Sequence, residues 1–206
     1  MIIKRVVAGI YAANCYIIMD EDTNEGVVLD PGGDVDDILK EIEKMGVKVK
    51  YIFLTHGHLD HTSGVELLRN SLNEAPLIGI SQEDSELINQ GAHLYGPLLE
   101  GKEPDIYIKH GDVYKFGNKE IKCVSTPGHT PGGISFIVDN NIFTGDTLFY
   151  MSMGRTDLTG GSNEVMMNTL KNVIKPMPDE LIVYPGHSRQ STLEYEKKNN
   201  PYLKTL

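Results

Sequence analysis

The stretch THGHLDHTSG, residues 55–64, places three histidines and one aspartate within positions 56 to 61, directly after the apolar run YIFL at 51–54. YIFL is short, continuous and rich in strand-forming residues, so it reads as a strand buried on both faces. The polar cluster begins where that strand ends. In extended backbone His56 and His58 project to the same side and can grip one ion. Asp60 and His61 lie where the chain turns toward a helix, so they can aim at a second point close by. Imidazole and carboxylate suit zinc, iron and manganese. A packed core has no use for four such groups, and a solvated loop rarely crowds three imidazoles.

Two half-sites need further ligands, and three more strand ends offer them. STPGHTPGG (125–133) presents His129 after Pro-Gly, FTGDT (143–147) presents Asp146, and VYPGH (183–187) presents His187 after a second Pro-Gly. In layered α/β folds, the turns past the C-terminal ends of strands meet at one edge of the sheet and form a site. The expected arrangement has His56, His58 and His129 on a first divalent ion and Asp60, His61 and His187 on a second. Asp146 bridges them. Zinc is the first choice for both ions, with iron or manganese as alternatives. Such a pair brings the pKa of a shared water to ~7 and makes it a nucleophile. Asp60 and Asp146 are thus expected to act in catalysis as well as in binding. His93 and His110 sit in no such context and read as structural or solvated.

The bulk properties fit one soluble domain over residues 1–206, with enough chain for a real core. Strand patterns at 2–7, 14–19 and 26–29 are followed by a helix over 34–45, with Asp34 as N-cap and Gly46 as stop. A second helix is expected over 62–72, a strand over 77–80 and a helix over 81–89. The irregular stretch 91–104 is a candidate lid. Residues 106–116 read as a hairpin, 121–125 as a strand, and 134–138 with 142–144 as a hairpin around Asp139-Asn-Asn. A helix near 162–173, a strand at 181–184 and a helix from about Ser191 complete the pattern. The simplest packing is an α/β, four-layer αββα sandwich, two facing sheets with helices on both outer faces.

The formal net charge of −10, without any basic tract, speaks against a nucleic-acid partner. Cys15 and Cys123 are far apart, in apolar contexts and outside any CxxC pattern, so they read as small core residues. MIIKR followed by VVAGIYAANC imitates a leader ending in cysteine. The apolar run is short, however, and broken by Gly9, Tyr11 and Asn14. No run reaches the ~20 apolar residues of a membrane helix, so a cytoplasmic protein off the membrane is expected. Oligomeric state has no signature here.

The series HGHLDH at 56–61, Pro127-Gly128-His129, Gly145-Asp146 and Pro185-Gly186-His187 resembles the metallo-β-lactamase superfamily, from about Asn14 onward. The resemblance implies the αββα fold and places Asp30, of the Asp30-Pro31-Gly32 turn, behind the metal site. Within the superfamily, GDTLF at 145–149, GRTDLTGG at 154–161 and the NPY near the end are similar to short glyoxalase II-type hydrolases. These cleave S-acylglutathione thioesters such as S-lactoylglutathione, so a small-molecule thioester is the expected partner. Full-length members add a helical domain that grips glutathione. This sequence stops at Leu206, soon after His187, which leaves the thiol specificity open. GRTD also occurs in persulfide dioxygenases, which hold one iron and oxidise glutathione persulfide with O₂. An ester or lactone hydrolase is a further alternative. Arg155 and Asp157 could meet a substrate carboxylate or tie down their own loop.

Overall fold

A computed structural model describes residues 1–99 and 102–206 of the chain. The first sheet contains β1 (Ile2–Ala8), β2 (Ala13–Met19), β3 (Glu25–Leu29), β4 (Lys48–Phe53), β5 (Leu77–Ile80) and β6 (Ile106–Tyr107), in that spatial order. Its first two pairings are antiparallel and its last three parallel. The second sheet takes β7 (Val113–Phe116), β8 (Lys119–Ser125), β9 (Ile134–Val138) and β10 (Asn141–Gly145). A small hairpin of β11 (Leu148–Phe149) and β12 (Ser152–Met153) follows. Then β13 (Ile182–Pro185) and β14 (Ser191–Thr192) complete the second sheet in the order β14-β13-β10-β9-β8-β7. Only the β10–β13 pairing in it is parallel.

Parallel neighbours need a crossover, and helices provide it. In the first half these are α1 (Val35–Met45), α2 (Leu59–Thr62), α3 (Val65–Ser71) and α4 (Gln82–Asn89). In the second half α5 (Asn163–Thr169) runs into a π-helical turn, Leu170–Ile174, and α6 (Leu193–Asn199) follows β14.

Three cores define four layers. Alternation along the strands sends Ile17, Val28 and Ile52 outward against Ile38 and Ile42 of α1 and Leu68 of α3. Ile18, Val27, Leu29 and Phe53 point the other way, onto Phe116, Ile121, Phe136 and Phe143 of the second sheet. Beyond that sheet, Ile142 and Val183 pack on Met166, Leu170 and Leu193. The result is the expected αββα sandwich. Phe53 stacks on Phe136 across the sheet interface, centroids 5.7 Å apart, and truncating such a buried ring costs about 3–5 kcal/mol. Cys15 and Cys123 are free and buried in these cores.

Several local expectations shift. Asp34 precedes α1 with φ 44° and does not cap it. Its carboxylate accepts instead from the Gly9 N–H at 2.9 Å, tying the first hairpin to the helix. Gly46 does stop α1, at φ 71°, its N–H shared by the Ile42 and Glu43 carbonyls. The helix expected over 62–72 starts earlier and breaks at Ser63–Gly64. There the Gly64 N–H donates to the Pro31 carbonyl at 2.8 Å, and a Cβ would lie 2.5 Å from that oxygen.

The hairpin expected over 106–116 does not form. Ile106–Tyr107 joins the first sheet beside β5, and Val113–Phe116 joins the second beside β8. The chain crosses between sheets at 108–112, because strand alternation fixes a face and not a sheet. In the candidate lid, residues 100 and 101 lie outside the described residues. Its 94–96 part is fastened by backbone hydrogen bonds from Leu59 N–H to Leu94 O (2.9 Å) and from Gly96 N–H to Gly57 O (3.0 Å). Among the described residues no helix is long and apolar enough to cross a membrane.

Candidate metal centre

All seven expected ligands meet at one edge of the sandwich. His56 and His58 follow β4, Asp60 and His61 lie on α2, His129 follows β8, Asp146 follows β10 and His187 follows β13. Their ligand atoms form three overlapping groups, each within 4.8 Å: His56, His58 and His129; His56, His61 and Asp146; and Asp60, His61 and His187. His93 and His110 are exposed and lie outside these groups.

The hydrogen bonds behind the ligands decide which nitrogen faces the centre. Thr55 Oγ1 donates to Asp30 Oδ2 at 2.7 Å and therefore accepts from His56 Nδ1 at 3.0 Å. His61 Nδ1 donates to the same Asp30 oxygen at 3.0 Å, and His129 Nδ1 to the Arg155 carbonyl at 2.6 Å. Each of these three imidazoles thus turns Nε2 inward. His56 Nε2, His61 Nε2 and Asp146 Oδ1 are buried and have no hydrogen-bond partner among the described residues. Buried polar atoms are rarely left so, and cations held between these groups would satisfy them.

The spacings fit as well. His129 Nε2 lies 3.4 Å from Asp146 Oδ2, His61 Nε2 lies 3.5 Å from Asp146 Oδ1, and His187 Nε2 lies 3.2 Å from Asp60 Oδ2. Two ligands at ~2.1 Å on one tetrahedral ion stand about 3.4 Å apart. The Pro-Gly turn before His187 is needed for this approach: a Cβ at Gly186 would lie 2.3 Å from Asp146 Oδ1.

Electrostatics divides the centre in two. Burial, then the neighbouring imidazoles, holds His56 well below the usual histidine range and takes His58 down to about 3. Those two rings are kept neutral and ready to ligate. At His61, burial pulls downward but Asp30 and Asp146 prevail and raise it to about 9. Burial opposes ionisation of Asp60, yet the hydrogen bond from His187 and the charge of His61 bring it down to about 2. His187 is likewise raised, its burial outweighed by Asp60 and Asp146.

A metal takes neutral imidazole, so filling the Asp60 half must expel the His61 proton. Calorimetry of zinc binding at pH 7.5 in buffers of different ionisation enthalpy is expected to show close to one proton or more released at that half. Its affinity should rise with pH and level off only above about 9, where His61 is half deprotonated. A binding heat independent of the buffer would contradict this assignment.

The family model described as the metallo-beta-lactamase superfamily matches residues 8–187, a span that contains every one of these ligands. The chain belongs to that superfamily. Among its relatives, hydroxyacylglutathione hydrolase GloC of Haemophilus influenzae is 32% identical over 200 residues, covering 94% of this chain and 93% of that one. The solved BLEG-1 B3 metallo-beta-lactamase superposes with a TM-score of 0.89 at 28% identity, over 98% of this chain and 99% of its own. ETHE1 from Myxococcus xanthus superposes at 0.82 with 29% identity, over 98% and 84%.

In this superfamily member, Asp30 lies behind the metal residues, as its resemblance implied; its carboxylate also accepts from the Thr55 N–H at 2.8 Å. Three supporting groups escaped the motif reading. Thr55 relays Asp30 to His56. The Arg155 carbonyl orients His129, while the Arg155 side chain forms a two-pronged pair with Asp157 at 2.7 Å, both exposed. Asp84, fully buried, accepts from the Gly57 and Gly132 N–H groups, each at 2.8 Å, and so joins the loop carrying His58 to the loop carrying His129. An aspartate in a helical register reads as a solvated first-turn residue. No local signal marks it as an internal tie, and none marks a carbonyl.

Proposed function

We propose that this chain is a metal-dependent thioesterase acting on S-acylglutathione or a closely related thioester. The carrying observation is the complete set of seven ligands, with its unsatisfied inward atoms, beside a cavity of about 540 Å³. That volume suits a small organic substrate. The likeness to GloC, across nearly the whole of both chains, supports the choice of thioester.

His56, His58 and His129 would hold one divalent ion, and Asp60, His61 and His187 the other, with Asp146 placed between the two sets. When bound, such a pair polarises an acyl carbonyl and supplies an acidified water. The chain does the rest. Asp60 stays ionised and, facing the cavity, accepts a hydrogen bond that keeps the attacking water in line. Leu94, Phe149, Met153 and Leu158 give the cavity an apolar wall, which displaces water beside the reacting groups and strengthens the charge interactions there. Water adds to the thioester carbon, the C–S bond breaks, and acid and thiol leave. Neither cysteine takes part, since both are buried in the cores with thiols pushed up, Cys123 to about 12.

Zinc-loaded protein is expected to hydrolyse S-lactoylglutathione, to lose that activity on chelation and to regain it with zinc at two ions per chain. The likeness to ETHE1 favours a second reading, persulfide dioxygenase. Oxygen uptake with glutathione persulfide, together with inert S-lactoylglutathione, would replace the thioesterase by that reading.

A further inference from the structure

Arg189 lies two residues beyond His187, and its guanidinium sits 3.8 Å from the centroid of the Tyr150 ring. Tyr150 is stacked in turn on Tyr195, centroids 5.5 Å apart and planes within 13°, with the two hydroxyls 3.0 Å apart. This platform adjoins the cavity. Phe149, just before Tyr150, and His187, just before the Arg189 turn, both line it and meet edge to face at 5.9 Å.

The pairing of the arginines is uneven. Arg69 pairs with Asp105, Arg155 with Asp157, and Arg5 donates to the Ser188 carbonyl. Arg189 has no carboxylate within ion-pair distance among the described residues, in a chain whose formal net charge is −10. The acids on the adjacent helix α6 are already engaged. Glu196 is fully buried and accepts from the Met151 N–H (2.9 Å), Ser191 Oγ (2.6 Å) and Asn200 Nδ2 (2.9 Å), and Glu194 pairs with Lys198. The Arg189 guanidinium also hydrogen-bonds the Tyr150 hydroxyl, and a guanidinium laid on an aromatic face retains in-plane N–H groups that can meet a carboxylate with two bonds.

We propose that Arg189, held on the Tyr150–Tyr195 platform, binds a carboxylate on the thiol half of the thioester and thereby selects the thiol. The inference rests on the thioesterase reading. The acyl carbonyl must reach the centre at Asp60 and His187, and a lactoyl group carries no carboxylate. The leaving tripeptide carries two, and the platform lies next to Phe149 and His187 on the cavity wall, where one of its carboxylates would meet Arg189. The guanidinium of Arg155, also at the cavity, is already neutralised by Asp157.

Arg189→Ala is expected to raise KM for S-lactoylglutathione ~10-fold with kcat within about twofold, the scale of one charge-assisted contact at a partly solvated site. KM for the N-acetylcysteamine thioester of lactate, which has no carboxylate, should not move, and Arg189→Lys should recover part of the loss. Calorimetry of S-methylglutathione on the zinc-loaded protein should show binding weakened by the same factor. Equal losses on both thioesters, no change on either, or no binding of S-methylglutathione to the unaltered protein would each overturn the assignment. If the unaltered protein leaves S-lactoylglutathione intact, the thioesterase reading fails by itself, and the binding arm alone decides Arg189.

Discussion

Asp146→Asn is expected to lower kcat/KM for S-lactoylglutathione by roughly 10²–10⁴-fold and to leave the purified protein short of metal. Asp146 lies between the two halves of the centre, one oxygen 3.5 Å from His61 Nε2 and the other 3.4 Å from His129 Nε2 and 3.7 Å from His187 Nε2. The amide keeps the shape and removes the charge that both ions would share. Loss of a group merely supporting a ligand weakens metal affinity by about 10–100-fold, and under the proposed arrangement Asp146 would be a direct ligand to both ions. The fold should survive, because the amide keeps the shape and Asp146 Oδ1 has no hydrogen-bond partner to lose among the described residues. Elemental analysis and steady-state kinetics on the same preparation test the claim. Near-normal turnover with both ions retained would mean that Asp146 is not shared.

Asp84→Ala is expected to destabilise the fold by about 2–6 kcal/mol although Asp84 is not among the expected ligands. It leaves the Gly57 and Gly132 N–H groups buried and unpaired, at about 1–3 kcal/mol each. Asp84→Asn has one acceptor oxygen in place of two and should lose about half as much. Because the tie joins the loops of His58 and His129, the variant should also weaken the ion on the His56 side more than the one beside Asp60. Denaturation of chelated protein isolates the stability effect, and zinc titration the second. Unchanged midpoints in chelated protein would show that the carboxylate only fills space.

A good part of this molecule is written locally. The convergence of the seven candidate residues was legible in sequence because most of them sit at a strand end followed by a turn, and strand, glycine, proline and histidine all leave a mark within a few positions. The αββα layering was legible for a similar reason: alternation in strands such as β2 and β3 and the apolar stripe of α1 repeat over short windows. Tertiary structure alone decided the rest. It chose the sheet that residues 106–116 would join, and it turned Asp34 from a cap into a tie to Gly9. It also recruited Asp84 and the Arg155 carbonyl to hold the ligand loops, and it laid Arg189 on Tyr150. Each of these depends on a partner distant in the chain, often a backbone atom common to every residue. Periodicity and motif spacing record what a segment is built to bury or expose, whereas such contacts are fixed only when the layers close.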